Sequence, residues 1–205
     1  YVIAPAEALV SAPTSIALAD AAGLPSVALT AWQALFEYAD LHAGQRIVIT
    51  GAGGVVGLHA VRLAKRAGAH VIATATGRSR AAVADAGADQ VIDHTTTSAA
   101  SVVDEPVDVV LNLAPISAEE FVALAARVRD GGVVVSTTAW MATPSDEARG
   151  VRGVTVFVRS DRDQLAELVR LVDAGELRVD IAERVPLAEL PAIHARLEAG
   201  QVHGK

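Results

Sequence analysis

The chain has 205 residues, 52% of them hydrophobic but only 3% aromatic, with 17 basic against 24 acidic side chains and a formal net charge of -7. That length supports one large domain, or one domain with pieces of another, and a core of Ala, Val, Leu and Ile favours helices packed closely on a parallel sheet. An acidic balance without a basic tract argues against nucleic acid or an anionic membrane as partner, and the absence of Cys removes disulfides, cysteine nucleophiles and thiolate zinc sites.

The lack of Cys is compatible with a reducing cytoplasm, the expected location. The longest charge-free stretches, Ala21 to Phe36 and Ile47 to Val61, contain Gly, and neither reaches the roughly 18 apolar residues of a membrane span. The chain opens without Met, inside what reads as a short strand, Tyr1-Val2-Ile3, and is expected to be a piece of a longer protein.

In chain order, a helix is expected from Ser15, whose hydroxyl can cap it, towards Ala22, and a second from Leu24 to Ala39 with Pro25 in its first turn. After the polar connector at residues 39–46 come a buried strand, Ile47 to Ile49, and an amphipathic helix. On that helix Val56, Ala60, Leu63, Ala64 and Ala67 face inward and Arg62, Lys65 and Arg66 outward. Strands follow at His70 to Thr74, Gln90 to Ile92, Val107 to Leu111, Val133 to Ser136 and Val154 to Val158, with helices at Ala81 to Ala86 and Ser117 to Arg129 between them. This alternation predicts an α/β fold, a Rossmann-type doubly wound parallel sheet of six strands in the order 3-2-1-4-5-6. The tail departs from the pattern: a helix from Arg162 to Ala174, a strand from Ile181 to Val185 and a last helix from Leu190 to Ala199 read as a return into a second domain. The domain plan is therefore 1–22 as a fragment of a second domain, 23–174 as the nucleotide-binding domain and 175–205 as the return segment.

The organising stretch is Gln45 to Gly68. Between its strand and helix lies Gly51-Ala52-Gly53-Gly54-Val55-Val56-Gly57, which misses a strict G-x-G-x-x-G by one residue because Ala52 stands in a glycine place. Gly51, Gly54 and Gly57 can still reverse the chain tightly, admit a pyrophosphate to the backbone and let the helix lie close on the strand. Amides at the helix start then face the phosphates, favoured by the helix dipole.

An NAD site normally places an acid about 20 residues beyond such a turn, to hold the ribose 2'-hydroxyl. Here that place is Thr74-Ala75-Thr76, no Asp or Glu occurs between Asp40 and Asp85, and Arg78 and Arg80 follow. Small hydroxyls with guanidinium groups suit a 2'-phosphate, so NADP(H) is the expected cofactor. Asn112, Thr137 and Thr138 fall at the carboxyl ends of the fourth and fifth strands, flanking the crevice where nicotinamide would lie.

Other chemistries find no support. The 6 histidines show no metal-ligand spacing, no P-loop occurs, and Gly77-Arg78-Ser79-Arg80-Ala81 lacks the final glycine of a nucleophile elbow. The Tyr-x-x-x-Lys pair of short-chain dehydrogenases is missing as well, since Tyr1 and Tyr38 are the only tyrosines.

Taken together, Gly23-Leu24-Pro25, the run Leu29 to Leu35, Ala43-Gly44-Gln45-Arg46, the turn from Gly51 to Gly57, Val71 to Thr74, Gly87-Ala88-Asp89, Val91 to His94, Gly131-Gly132 and Gly204-Lys205 resemble the zinc-free quinone oxidoreductase branch of the medium-chain dehydrogenase/reductase superfamily. The resemblance covers nearly the whole chain. It implies Thr30 near the nicotinamide, Gly53, Gly54, Val55 and Val56 against the pyrophosphate, and Thr76 and Arg80 at the 2'-phosphate. His94 stands where the family often has Tyr, and Gly54-Val55-Val56-Gly57 replaces the usual Gly-Gly-Val-Gly. Where zinc alcohol dehydrogenases carry a cysteine ligand this chain has a place near Ser26, so no metal is expected.

The resemblance further implies that the terminal segments belong to a GroES-like β catalytic domain, that the enzyme delivers hydride from NADPH to a quinone or an α,β-unsaturated carbonyl, and that it is a homodimer. A non-catalytic NADP-binding sensor or scaffold, and a zinc alcohol dehydrogenase, are the alternatives. No catalytic residue is nominated.

Overall fold

The computed structural model describes residues 3–202. Their strands are β1 (Arg46–Thr50), β2 (His70–Ala75), β3 (Gln90–Asp93), β4 (Val107–Asn112), β5 (Val128–Ser136) and β6 (Arg152–Thr155). They form one parallel sheet in the order β3-β2-β1-β4-β5-β6, as the alternation of elements predicts. Between and after them run α1 (Val27–Trp32), α2 (Val55–Arg66), α3 (Arg80–Asp85), α4 (Ala99–Val102), α5 (Ala118–Ala125), α6 (Arg162–Asp173) and α7 (Leu190–Glu198), and α1 continues as a π-helix over Gln33–Tyr38.

Successive side chains of a strand point to opposite faces, and the core divides accordingly. Ile47, Ile49, Val71, Ala73, Val109 and Leu111 pack under α1, α2 and α6 with Leu63, Leu168 and Leu171. Val48, Ile72, Val110 and Val134 pack on the other face with Phe121, Leu124 and Val103. The parallel ladder is in register across the centre, with Ile47 beside both Val71 and Val109, so the carboxyl ends of β1, β2 and β4 finish at one rim. No helix among the described residues is long and apolar enough to cross a membrane.

Several expected elements differ. Tyr1 and Val2 of the first expected strand, and Gly204-Lys205, lie outside the described residues. No helix spans Ser15 to Ala22; only a 3-10 turn at Asp20–Gly23 forms there. The polar groups of this segment are used elsewhere: the Thr14 and Ser15 amides donate to Asp173 Oδ1 at 2.8 Å each, and the Ser15 hydroxyl donates to the Val172 carbonyl. The α5 helix ends at Ala125 rather than Arg129, because Val128 pairs with Val107 and β5 then makes an irregular step before Val133 joins Val109. Gly131 takes a positive φ at that step. The four-residue α4 turn is too short to show a helical period in the sequence; Ala99 and Ala100 bury against the Phe121 side of the core. Residues 181–185 form no strand. They cross the surface with Arg184 clamped on Asp20, Nε to Oδ1 and Nη2 to Oδ2, at 2.6 Å each. The proposed return segment is thus divided: Leu177 belongs to the sheet's core, with Val179 packed on it, whereas α7 buries no residue.

Candidate dinucleotide site

The carboxyl rim of a doubly wound sheet, where the strand order reverses, is its natural ligand crevice. Here the reversal lies between β1 and β4, and two adjoining clefts of about 570 and 600 Å³ open beside it. Gly51, Thr74 and His94 line both clefts.

The glycine-rich turn is built as its sequence requires. Gly51 has φ +69°, the left-handed region, and a Cβ there would stand 2.9 Å from the Ala114 Cβ and 3.1 Å from the Leu113 carbonyl carbon. A Cβ on Gly57 would enter the backbone of Gly51 and Ala52, 2.5 Å from Ala52 Cα. One glycine therefore makes the turn and the other lets α2 lie on it. Gly54 is the N-cap of α2, contributes no side chain to it, and is followed by a first turn without acidic residues. The amides at the start of that helix have no partner within it, and Gly53 and Gly54, immediately before it, line the first cleft at the positive end of its dipole.

Across the first cleft stands the β2–α3 turn. Thr74 is buried and its hydroxyl accepts from the Gly51 amide at 3.1 Å, which ties the end of β2 to the glycine turn. Thr76, Arg78 and His94 line the cleft with Gly53 and Gly54. Ser79, which the sequence reading passed over, accepts from the Thr76 amide at 3.1 Å, and its Cβ would stand 2.5 Å from a Cβ on Gly53. Its signal was present: a hydroxyl residue at the start of a short helix is a turn-former. Gly53 thus accommodates the opposing turn as well as leaving its own backbone open.

The remaining expected residues separate. Arg80 opens α3 and lines neither cleft; its charge acts on Asp93, which sits opposite Ala75 in the β2–β3 ladder. The Asp93 carboxyl lies below its ordinary pKa, first because the Thr95 hydroxyl donates to it and then because the Thr95 amide does, with His94 and Arg80 adding a smaller pull. Thr30 lies on α1 and donates to the Ser26 carbonyl at 2.8 Å. It lines neither cleft. Val55 and Val56, in the first turn of α2, are half-buried.

Asn112 and Thr138 are buried in a network of their own. Thr50 Oγ1 donates to Asn112 Oδ1 at 2.6 Å, and Asn112 Nδ2 donates to Thr138 Oγ1 at 3.0 Å and to Ser136 Oγ at 3.3 Å. Thr137, half-buried, hydrogen-bonds through its amide to the Asn112 carbonyl. These groups join the carboxyl ends of β1, β4 and β5 under the crevice, and no side chain of the three lines either cleft. Among the described residues no three metal-ligating side chains stand together.

Below the turn, on α2, His59 is only 4% exposed. Burial, and next the Arg62 charge, lower its pKa from 6.5 to about 4, against smaller opposing effects from Asp180 and from the hydrogen bond to the Gly23 backbone. The unfolded chain therefore takes up a proton on this ring at higher pH than the folded one. Its contribution is complete above about pH 6.5 and is lost progressively as the pH falls towards 4, by roughly 2 kcal/mol between pH 7 and 5. Urea denaturation at those two pH values should show that slope, and His59→Gln should flatten it.

Residues 86–205 match the family model described as zinc-binding dehydrogenase. The chain is 30% identical over 221 residues to the mitochondrial NAD(P)H oxidoreductase RTN4IP1 of Mus musculus, covering 94% of this chain and 56% of that protein. It is 30% identical over 224 residues to the chloroplast envelope quinone oxidoreductase homolog of Arabidopsis thaliana, covering 100% of this chain and 66% of the relative. The structure of the quinone oxidoreductase from Coxiella burnetii superposes with a TM-score of 0.84 at 27% identity, over 95% of this chain and 62% of that one. The chain thus spans between about half and two thirds of the length of the proteins it matches. With this sheet order and this glycine turn, the chain belongs to the zinc-binding dehydrogenase family and is a quinone oxidoreductase-type part of the medium-chain dehydrogenase/reductase superfamily.

Proposed function

We propose that this chain is the cofactor-binding part of an NADPH-dependent oxidoreductase that reduces a quinone or an α,β-unsaturated carbonyl compound. The observation that carries the reading is the cleft between two turns: the open backbone of Gly53 and Gly54, leading into α2, on one side, Thr76, Arg78 and His94 on the other. A diphosphate suits the first wall and a 2'-phosphate the second. The end of β2 supplies no carboxylate for a ribose 2'-hydroxyl. Asp93, beside Ala75 in the ladder, belongs to β3 and is occupied by Thr95. When bound, the nicotinamide would supply the hydride, while this chain orients it and excludes water. Relatives named as an NAD(P)H oxidoreductase and a quinone oxidoreductase homolog support the chemistry.

Calorimetry on the full-length protein should give tighter binding of NADPH than of NADH, and Arg78→Gln should weaken NADPH about tenfold or more while leaving NADH nearly unchanged. Equal or tighter NADH would overturn the cofactor assignment. Tight NADPH binding without oxidation by any of a panel of quinones and enones would point to a sensor instead of an enzyme.

Two features of assembly belong to the same reading. Residues 1–22 and those from about 182 onward form part of the substrate-side domain, which agrees with the Asp20–Arg184 clamp between them and with the exposed Leu187, Leu190 and Leu197 around α7. The protein pairs with a second copy along β6, an edge strand, beyond which Phe157 is 70% exposed. Sedimentation should give the mass of two chains, and Phe157→Asp should reduce it to one.

A further inference from the structure

Beside the glycine turn lies a small, narrow-mouthed cavity of about 30 Å³ whose wall includes Gly23, Gly53, Val55, His59 and Asp180. One of its polar atoms, His59 Nδ1, is buried and has no hydrogen-bond partner among the described residues, and Asp180 Oδ2, buried in the same wall, carries only its ion pair with Arg62. The ring's hydrogen bond goes to the Gly23 backbone, which leaves Nδ1 as an acceptor. Asp180 is held by ion pairs from Arg62 Nη1 at 2.5 Å and Arg178 Nε at 2.7 Å. Arg178 also faces Asp85 at 3.7 Å, so two guanidinium groups and two carboxylates balance, and no three metal-ligating side chains stand together among the described residues. The volume suits a single water, which needs about 10–15 Å³ and two or more polar partners.

We propose that this cavity is a one-water site: the water donates one hydrogen to His59 Nδ1 and the other to Asp180 Oδ2, and the joint makes His59 a positioning residue for the glycine turn. The joint has three sides. The return segment brings Asp180. The loop before α1 brings Gly23, where a Cβ would stand 2.7 Å from Val179 Cγ1, so the two segments are tightly apposed. The third side is formed by Gly53 and Val55, and Gly53 also lines the first cleft, in the wall proposed to carry the diphosphate. Disordering the joint frees that wall and weakens dinucleotide binding without touching the reacting atoms. The functional half of the inference rests on the dinucleotide reading above; the water itself does not.

The test therefore has two arms. A high-resolution crystal structure of the full-length protein without dinucleotide should show one solvent oxygen within hydrogen-bond distance of both His59 Nδ1 and Asp180 Oδ2. A dry cavity, or a direct hydrogen bond from Nδ1 to the protein, would overturn the site. In the second arm, His59→Phe, which fills the ring's space but bonds no water, should raise KM for NADPH about fivefold to tenfold with kcat nearly unchanged. His59→Gln, which keeps polar atoms at the cavity, should recover most of that loss. A folded His59→Phe with unaltered KM, or equal loss in both variants, would overturn the positioning role. If the unaltered protein binds no NADPH while the solvent peak is present, the cofactor reading fails and the water site stands.

Discussion

Gly57→Ala should lower stability by about 2 kcal/mol and weaken NADPH binding at least tenfold. Two effects compete at this position. Ala is worth about 1 kcal/mol more than Gly inside a helix, which favours the substitution. Against it, the new methyl would meet main-chain atoms, Ala52 Cα at 2.5 Å and Ala52 O at 2.6 Å. Backbone cannot swing aside as a side chain does, and overpacking of this kind costs about 1–3 kcal/mol or more. The clash wins, and relief comes only by sliding α2 away from the turn. That displacement withdraws the helix amides from the diphosphate wall. Denaturant titration and calorimetry on one preparation would measure both losses. A variant as stable as the parent with full NADPH affinity would show that the close approach of helix and turn does not shape the site.

The second large effect is expected at Asn112, which is fully buried with its side-chain amide bonded on both ends. Asn112→Ala would leave the Thr50 hydroxyl without its acceptor in the interior, while Thr138 keeps Ser136 at 2.7 Å, and would open a small cavity beside them. An unsatisfied buried polar group costs about 1–3 kcal/mol, so a total near 3 kcal/mol is expected. The consequence reaches the site because Thr50 directly precedes Gly51, and the Leu113 amide is bonded to the Thr50 carbonyl at 3.3 Å. Affinity for NADPH should fall with stability, whereas the preference for NADPH over NADH, set on the other wall, should not change. A stability loss below 1 kcal/mol in urea would mean that water takes over the orphaned hydroxyl.

These two positions show different degrees of legibility. The role of Gly57 could be read from spacing alone, because a glycine in the first turn of a helix that follows a strand answers a local steric demand. Asn112 could be placed at the end of its strand, but not oriented: its partners come from β1 and from the end of β5, and only the ladder brings them together. Arg78 and Arg80 make the same point. They are two residues apart and alike in sequence, yet one lines the cleft and the other is drawn to Asp93, which stands beside the end of β2 only through the β2–β3 register.

By itself the amino-acid order determined the alternation of strand and helix, hence the parallel sheet, its strand order and the position of the glycine turn, since period, chirality and crossover handedness are properties of short stretches. Tertiary structure alone decided where side chains from distant stretches meet. It sent Asn112 and Thr138 into a buried network, set Ser79 against Gly53, and brought Asp180 to His59. It also left residues 181–185 without a strand, because a strand needs a neighbour to bond, and pairing is a property of the assembled fold.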